Sequence, residues 1–104
     1  MIKVEVIKEN NFFKEITLKG HANYDDYGKD IVCASVSSVA YMVSNTITEI
    51  LKVNAEIKVN DGMMRLIVNK EQRHITKDIL LGLKLHLEGL EEQYPEFIET
   101  LTEV

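Results

Sequence analysis

The sequence predicts an α+β fold: a two-layer sandwich in which two helices cover one face of an antiparallel sheet. Short segments with alternating apolar and polar residues precede each of two longer segments with helical periodicity. An Asp-Gly pair joins two of the short segments, which is a strong hairpin signal. With 104 residues and one proline, residues 1–104 fit a single domain. The predicted element order is β-β-α-β-β-α-β.

The first two strands are predicted at residues 2–6 and 12–19. Apolar residues at positions 2, 4 and 6 alternate with charged ones, and Ile16 and Leu18 share one face of the second strand. Asn10 and Asn11 between them tolerate positive φ, so a tight turn is expected there. Gly20 ends the hairpin.

The first helix is predicted to begin after Asp30, its N-cap, and to end near residues 52–54. Apolar residues then recur at helical spacing: Val36, Val39 or Ala40, Val43, Ile47, and Ile50 or Leu51. Residues 55–60 and 63–69 are read as a second hairpin around Asp61-Gly62. A second helix with an apolar stripe follows and is closed by Pro95: Ile75, Ile79, Leu83, Leu87 and Leu90. Residues 96–104 are the last predicted strand.

Composition and charge exclude several classes of protein. The net charge is −5, all of it from residues 71–104, which hold three basic and eight acidic residues. Without a basic stripe, direct nucleic-acid binding is not expected. A single cysteine excludes an internal disulfide and a multi-thiolate zinc site. No signal peptide or membrane-length run is recognised, so a cytoplasmic location is the expectation.

The segment from Gly20 to Ser37 carries the most chemistry. His21 precedes Cys33 by twelve positions, and Cys33 stands where the helical pattern begins. Helix-start N–H groups favour a thiolate anion, and a nearby histidine can take the thiol proton. The alternatives are a small buried cysteine and a surface histidine.

Two further residues are candidates for supporting this pair. Asp30 is expected to cap the helix, to orient His21, or both. Ser37 lies one turn after Cys33 and either donates to the thiolate or back-bonds to the helix. First-turn N–H groups are expected to stabilise an oxyanion. His21, Asp30 and Cys33 lack the spacing of a metal site, so no metal and no cofactor are expected.

A polar loop, residues 23–29, separates the candidate residues. Gly20 and Gly28 are natural hinges, and no apolar periodicity ties the loop to the core. The loop is therefore expected to be mobile and to order when a peptide binds. Tyr24 and Tyr27 are expected to close over an apolar side chain of the substrate.

The motif Gly-His-Ala, a polar loop, and Gly-x-Asp-Ile-Val-Cys-Ala-x-Val-Ser resembles the signature of the Prp, or YsxB-like, family of ribosomal-processing cysteine proteases. The resemblance implies an endopeptidase that removes an N-terminal extension from the precursor of large-subunit ribosomal protein twenty-seven. It implies Cys33 as nucleophile, His21 as base, and Asp30 and Ser37 as supporting residues. It also implies a homodimer and a cut after an apolar, aromatic-containing segment. The lack of a membrane-length run separately predicts no membrane partner.

Two other functions fit the residues alone. One is a non-catalytic ribosome-assembly factor, for which the acidic C-terminal part would suit a basic protein. The other is a thiol-dependent hydrolase of a small ester or amide. Fast alkylation of Cys33 would favour either enzyme over the binding module, and cleavage of an aromatic-rich peptide would separate the two enzymes.

Overall fold

A computed structural model describes residues 1–26 and 29–103. Its strands and helices follow the predicted order: β1 (Ile2–Glu9), β2 (Phe12–Lys19), α1 (Ile31–Asn45), β3 (Ala55–Asn60), β4 (Met63–Val68), α2 (Arg73–Gln93) and β5 (Ile98–Glu103). A π-helical segment, Thr46–Ile50, prolongs α1, and a short 3₁₀ turn, Lys70–Gln72, precedes α2. The α+β class and the element order are confirmed.

The five strands form one sheet in the order β3-β4-β2-β1-β5. The pairs β1–β2, β2–β4 and β3–β4 are antiparallel, as expected. The sheet is nevertheless mixed, because β5 runs parallel to β1, so the expectation of a purely antiparallel sheet is wrong at this pair. Helix α2 carries the chain back across the sheet, so β5 must run in the direction of β4, which is also that of β1.

Both predicted hairpin turns are present. Asn10 and Asn11 have φ of 55° and 66°, the left-handed backbone that asparagine tolerates. Gly62 in the β3–β4 turn has φ of 72°. A bulge between Ile7 and Lys8 shifts the β1–β2 register near the first turn.

The core lies between the helices and one face of the sheet. Val4, Val6 and Ile16 are buried on this inner face. Helix α1 buries a regular stripe: Val32, Val36, Ala40, Val43 and, in the π-helical segment, Ile47. The predicted end of this stripe, Ile50 or Leu51, is wrong, because both side chains are exposed, Ile50 by 73%. The chain instead reverses near Lys52, at φ of 56°.

The buried stripe of α2 is offset from the predicted one. Leu83, Leu87 and Leu90 are buried as expected, but Ile75 is exposed. Thr76 and Leu80 take the core positions instead. The hydroxyl of Thr76 donates to the carbonyl of Arg73, so its burial leaves no unpaired donor.

The outer face of the sheet carries no helix and is laced with ion pairs: Lys19–Glu5, Arg65–Glu15 and Lys58–Glu56, with N···O distances of 3.2, 2.9 and 3.2 Å. Because ion pairs occupy this uncovered face, the face by itself gives little physical support to the expected homodimer. Most of the exposed large apolar side chains lie on the helices, where Met42 and Leu85 are 54% and 70% exposed, although Leu101 of β5 is 46% exposed.

The continuous helical run Ile31–Ile50 is long and apolar enough to span a membrane by length and composition alone, although no such run was expected. The core helix of a globular domain passes the same test. The buried stripe of this run belongs to the same core cluster as Leu80 and Leu87 of α2, and 33% of its apolar window is buried.

Candidate active site

The end of β2 places His21 beside the β3–β4 turn. Gly20 has φ of 93°, and a Cβ at this position would overlap the carbonyl oxygen of Met1. Its N–H donates to the carbonyl of Gly62 at 2.7 Å. Only glycine satisfies both the positive φ and the close approach, so Gly20 directs the chain from β2 toward α1.

Ala22 brings this segment against the start of α1. Its side chain is buried in the core, and its backbone N–H donates to the sulfur of Cys33 at 3.3 Å. Cys33 itself is half-buried and free of any disulfide. The residue that follows His21 in sequence therefore contacts the thiol directly, which brings the two candidate residues to the same place.

Asp30 is the N-cap of α1, as predicted. Its Oδ1 accepts from the N–H groups of Val32 and Cys33 at 3.0 and 2.9 Å, and its Oδ2 accepts from the N–H of Tyr24 at 2.9 Å. Burial alone would raise the pKa of Asp30. Hydrogen bonds from the backbone of Cys33, Tyr24 and Asp25, and from the Cys33 thiol, outweigh this effect and lower the pKa below its ordinary value.

Three N–H groups in the first turn of α1 have hydrogen-bond partners. Those of Val32 and Cys33 donate to the carboxylate of Asp30, and that of Ala34 donates to the Asp30 carbonyl at 3.0 Å. These three N–H groups are engaged in the structure, and their role in stabilising an oxyanion stays a prediction. The side chain of the N-cap residue accepts hydrogen bonds from N–H groups that would be unpaired at an uncapped helix start.

The imidazole of His21 rests on the β3–β4 turn. A Cβ on Gly62 would lie 2.9 Å from its Nε2, so the ring occupies space that only glycine leaves open. The carboxylate of Asp61 lies 3.8 Å from Nε2, and the His21 side chain is 53% exposed. The carboxylate that pairs with the imidazole of His21 is thus that of Asp61. The carboxylate of Asp30 instead accepts hydrogen bonds from the start of α1 and from the loop.

The sequence analysis assigned Asp61 and Gly62 only to a hairpin. An Asp-Gly pair predicts a turn, and nothing in its type or spacing predicts a histidine above it. The contact depends on β4 pairing with β2, which places the turn beside Gly20. The pairing of distant strands was the information missing from the sequence.

His21 and Cys33 line one cleft of about 790 Å³. Its walls come from β2, α1 and the β3–β4 hairpin, and its apolar lining includes Leu18, Val36, Tyr41, Val59, Met63 and Met64. Asp25, Asp30 and Asp61 also border it, and no Lys or Arg does among residues 1–26 and 29–103. The cleft is apolar at its walls and acidic at its edge.

Ser37 lines the same cleft, one helical turn after Cys33. The serine that back-bonds to the helix is Ser35, whose hydroxyl donates to the carbonyl of Ile31 at 2.7 Å. Ser37 therefore presents its side chain to the cleft on the same wall as the thiol.

The loop residues divide into two groups. Tyr24 does not line the cleft; its ring packs edge-on against Tyr94 and Phe97. The loop was expected to have no contact with the core, but aromatic contacts of Tyr24 attach its start to the rest of the fold. Tyr27 and Gly28 lie outside the described residues.

The chemistry available in this cleft is nucleophilic. A thiol and an imidazole border one space large enough for several side chains of a peptide, and apolar walls surround them. Among the described residues, no group of three metal-ligating side chains converges.

Comparison with known proteins agrees with this geometry. The family model described as cysteine protease Prp matches residues 1–99. The ribosomal processing cysteine protease Prp of Staphylococcus aureus is 27% identical to this chain, over 94% of this chain and 95% of the relative.

Solved structures give the same result. The essential ribosomal processing protease Prp from S. aureus, in complex with a covalently linked product peptide, superposes with a TM-score of 0.92 at 26% identity, covering 99% of this chain and 100% of the other. The same protease with a substrate peptide gives 0.86 at 25% identity, with the same coverage. SMU.848 from Streptococcus mutans, at 23% identity and a TM-score of 0.84 over 99% and 96% of the two chains, shares the fold. The chain therefore belongs to the Prp family of cysteine proteases.

Proposed function

We propose that this protease is an endopeptidase that removes the N-terminal extension of the precursor of large-subunit ribosomal protein twenty-seven. One observation carries the proposal: the thiol of Cys33, at the start of a capped helix, opens into a peptide-sized cleft that His21 also lines. The S. aureus relative with this fold is described as a ribosomal processing protease and has been solved with substrate and product peptides.

Cys33 acts as the nucleophile and His21 as the base. The proton of the thiol passes to the imidazole, and the sulfur attacks the carbonyl carbon of the scissile peptide bond. As the tetrahedral intermediate collapses, His21 returns that proton to the leaving amine. The C-terminal product departs with its new amino group, and the N-terminal extension remains as a thioester on Cys33.

Water completes the reaction. His21 takes a proton from a water molecule, whose oxygen attacks the thioester carbonyl. The C–S bond breaks, the sulfur regains a proton from His21, and the extension leaves as a free acid. A half-exposed imidazole is suited to this second step, because water can reach it.

Supporting residues act through position. Asp30 fixes the first turn of α1 and so the backbone of Cys33. Gly20 sets the direction of the chain into His21. Ser37, on the cleft wall one turn from the thiol, is placed to donate to the sulfur or to the substrate.

The cleft favours an apolar segment next to basic residues. Met63, Met64 and Tyr41 offer apolar surface to the substrate. The three carboxylates at the cleft edge and the net charge of −5 complement a basic protein, which a ribosomal protein must be in order to bind RNA. A ribosomal substrate also places the reaction in the cytoplasm.

Incubation with purified precursor tests the proposal. The wild-type protein should release the extension as one peptide, identified by mass spectrometry, and Cys33→Ala should release none. A precursor whose aromatic residues before the cut are replaced by serine should be a poor substrate. Tight binding of the precursor without cleavage would instead support the non-catalytic assembly factor. Cleavage of small esters but not of the precursor would support the thiol hydrolase.

A further inference from the structure

Tyr24 belongs to an aromatic cluster outside the cleft. Its ring centroid lies 5.2 Å from that of Phe97 and 5.7 Å from that of Tyr94, with interplanar angles of 81° and 76°. Edge-to-face contacts at these distances are favourable beyond the apolar area that they bury. The beginning of the loop is thus attached to the connection between α2 and β5, which is remote from it in sequence.

Backbone hydrogen bonds hold the connection between α2 and β5 in place. The N–H of Tyr94 donates to the carbonyl of Leu90 at 2.8 Å, and the N–H of Phe97 donates to the carbonyl of Tyr94 at 2.9 Å. The carbonyl of Phe97 accepts from the N–H of Ile2 at 2.8 Å. Both aromatic rings also pack on the buried core. The contacts of Tyr24 are therefore with a part of the fold that α2 and β1 hold in place.

The backbone of Tyr24 is tied to the candidate active site. Asn23, which lines the cleft immediately after Ala22, has a left-handed backbone with φ of 57°. The N–H of Tyr24 then donates to Oδ2 of Asp30, whose Oδ1 holds the N–H of Cys33. On the other side, Ala22 donates to the sulfur. The segment from Ala22 to Tyr24 thus contacts the thiol and its helix cap at two separate points.

We infer that Tyr24 is a positioning residue: its ring, held by Tyr94 and Phe97, fixes the backbone that joins His21 to the helix cap. The inference rests on the proposed roles of Cys33 and His21. Docking of the ring restrains a segment whose two backbone hydrogen bonds end at the Cys33 sulfur and at the carboxylate of the Asp30 cap. Loss of the ring leaves this segment with its two backbone hydrogen bonds but without its side-chain anchor after Ala22, so the spacing of thiol and imidazole becomes less well defined.

Kinetics of matched variants test the role. Tyr24→Leu and Tyr94→Leu should each lower kcat by about 2- to 10-fold, the range that an aromatic pair supplies, with KM nearly unchanged. The double variant should be no slower than the slower single variant, because both remove one contact. Tyr24→Phe retains the ring and should keep wild-type kcat. A rise in KM at constant kcat for Tyr24→Leu would overturn the inference and make Tyr24 a substrate contact.

A second measurement does not depend on catalysis. Hydrogen exchange at the amides of Ala22 and Tyr24 should be severalfold faster in Tyr24→Leu and Tyr94→Leu, and unchanged in Tyr24→Phe. Phe12→Leu, which removes a ring that lies near Lys77, serves as the control and should leave both amides unaffected. Unchanged exchange in both leucine variants would overturn the inference. Failure of the proposed function would appear separately, as precursor cleavage by Cys33→Ala.

Discussion

The backbone N–H of Ala22 donates to the sulfur of Cys33 across 3.3 Å. The side chain of Ala22 is buried in the core, so this part of the backbone is held against the start of α1. The contact joins the end of β2 to the start of α1 and places His21, the preceding residue, at the mouth of the cleft. It links the packing of the core to the geometry of the proposed nucleophile.

Substitution of Cys33 should separate activity from stability. Cys33→Ala and Cys33→Ser should both abolish precursor cleavage, because neither side chain supplies a thiolate. The cost in unfolding free energy should be about 1 kcal/mol or less, with serine the milder change because its hydroxyl still accepts from Ala22. Urea unfolding of both variants, alongside a cleavage assay, is the measurement. Wild-type cleavage by either variant would exclude Cys33 as the nucleophile.

His21→Ala should lower kcat/KM by about 10²- to 10⁴-fold, the usual contribution of a general acid–base residue. The acidic limb of the pH–rate profile should disappear with it. The measurement is cleavage between pH 5 and pH 9. His74→Ala, which changes an exposed histidine on α2, is the matched control and should behave as wild type. An unaltered rate and profile for His21→Ala would mean that another group is the base.

Asp30 should contribute stability that depends on pH. Its folded pKa lies below the ordinary value of 3.8, so the contribution is fully present above that value and is lost as pH falls through the lower folded pKa. Asp30→Ala should cost about 0.5–2 kcal/mol at pH 7, the range for a lost N-cap. The difference from wild type should shrink below pH 3.8.

Urea titrations at pH 7 and near pH 3 measure this difference. Asp78→Asn removes an exposed carboxylate from α2 and controls for the change in net charge. An Asp30→Ala cost that is the same at both pH values would mean that the charge of Asp30 adds nothing to the cap.

Gly62 should matter more for activity than for folding. Gly62→Ala places a methyl group 2.9 Å from Nε2 of His21, and the imidazole can move aside. The positive φ adds about 1–2 kcal/mol of strain for alanine. Gly62→Asn tolerates that φ better but still displaces the ring, so both variants should cleave slowly while only Gly62→Ala is clearly destabilised.

Gly82→Ala provides the matched control for this series. A Cβ on Gly82 meets nothing within 4 Å, and the residue lies within α2, so alanine should stabilise the protein by about 0.5–1 kcal/mol and leave cleavage unchanged. Wild-type activity in both Gly62 variants would mean that the position of the ring in this structure is not required for catalysis.

The protein is expected to form a homodimer. This prediction comes from the family resemblance, and the exposed apolar side chains of the helices, including Met42 and Leu85, give it physical support that the charged sheet face does not. Light scattering at micromolar concentration should report twice the chain mass of 11.9 kDa. A mass of one chain would contradict the prediction.

Local patterns predicted most of the architecture. The alternation at Ile2 to Val6, the asparagine turn and the Asp-Gly turn each depend on neighbouring residues, and each is present. The buried stripe of α2 is offset from the predicted one near its start, because the polar residue Thr76 is buried there. Its hydroxyl donates to a backbone carbonyl, which removes the cost of burying it unpaired. The direction of β5 was not predicted either, because the residues of an edge strand do not show which strand it will pair with.

The sequence by itself determined the family and the order of elements, and it supplied the two residues that we propose as nucleophile and base. Those properties reside in residue types and short spacings. Only the tertiary structure decided that Gly62 lies beneath His21, that Asp30 occupies the first-turn donors, and that Tyr24 packs on Tyr94 and Phe97. Each of these contacts joins segments brought together by strand pairing, helix capping or core packing, and their free energy depends on distances that a linear pattern does not contain.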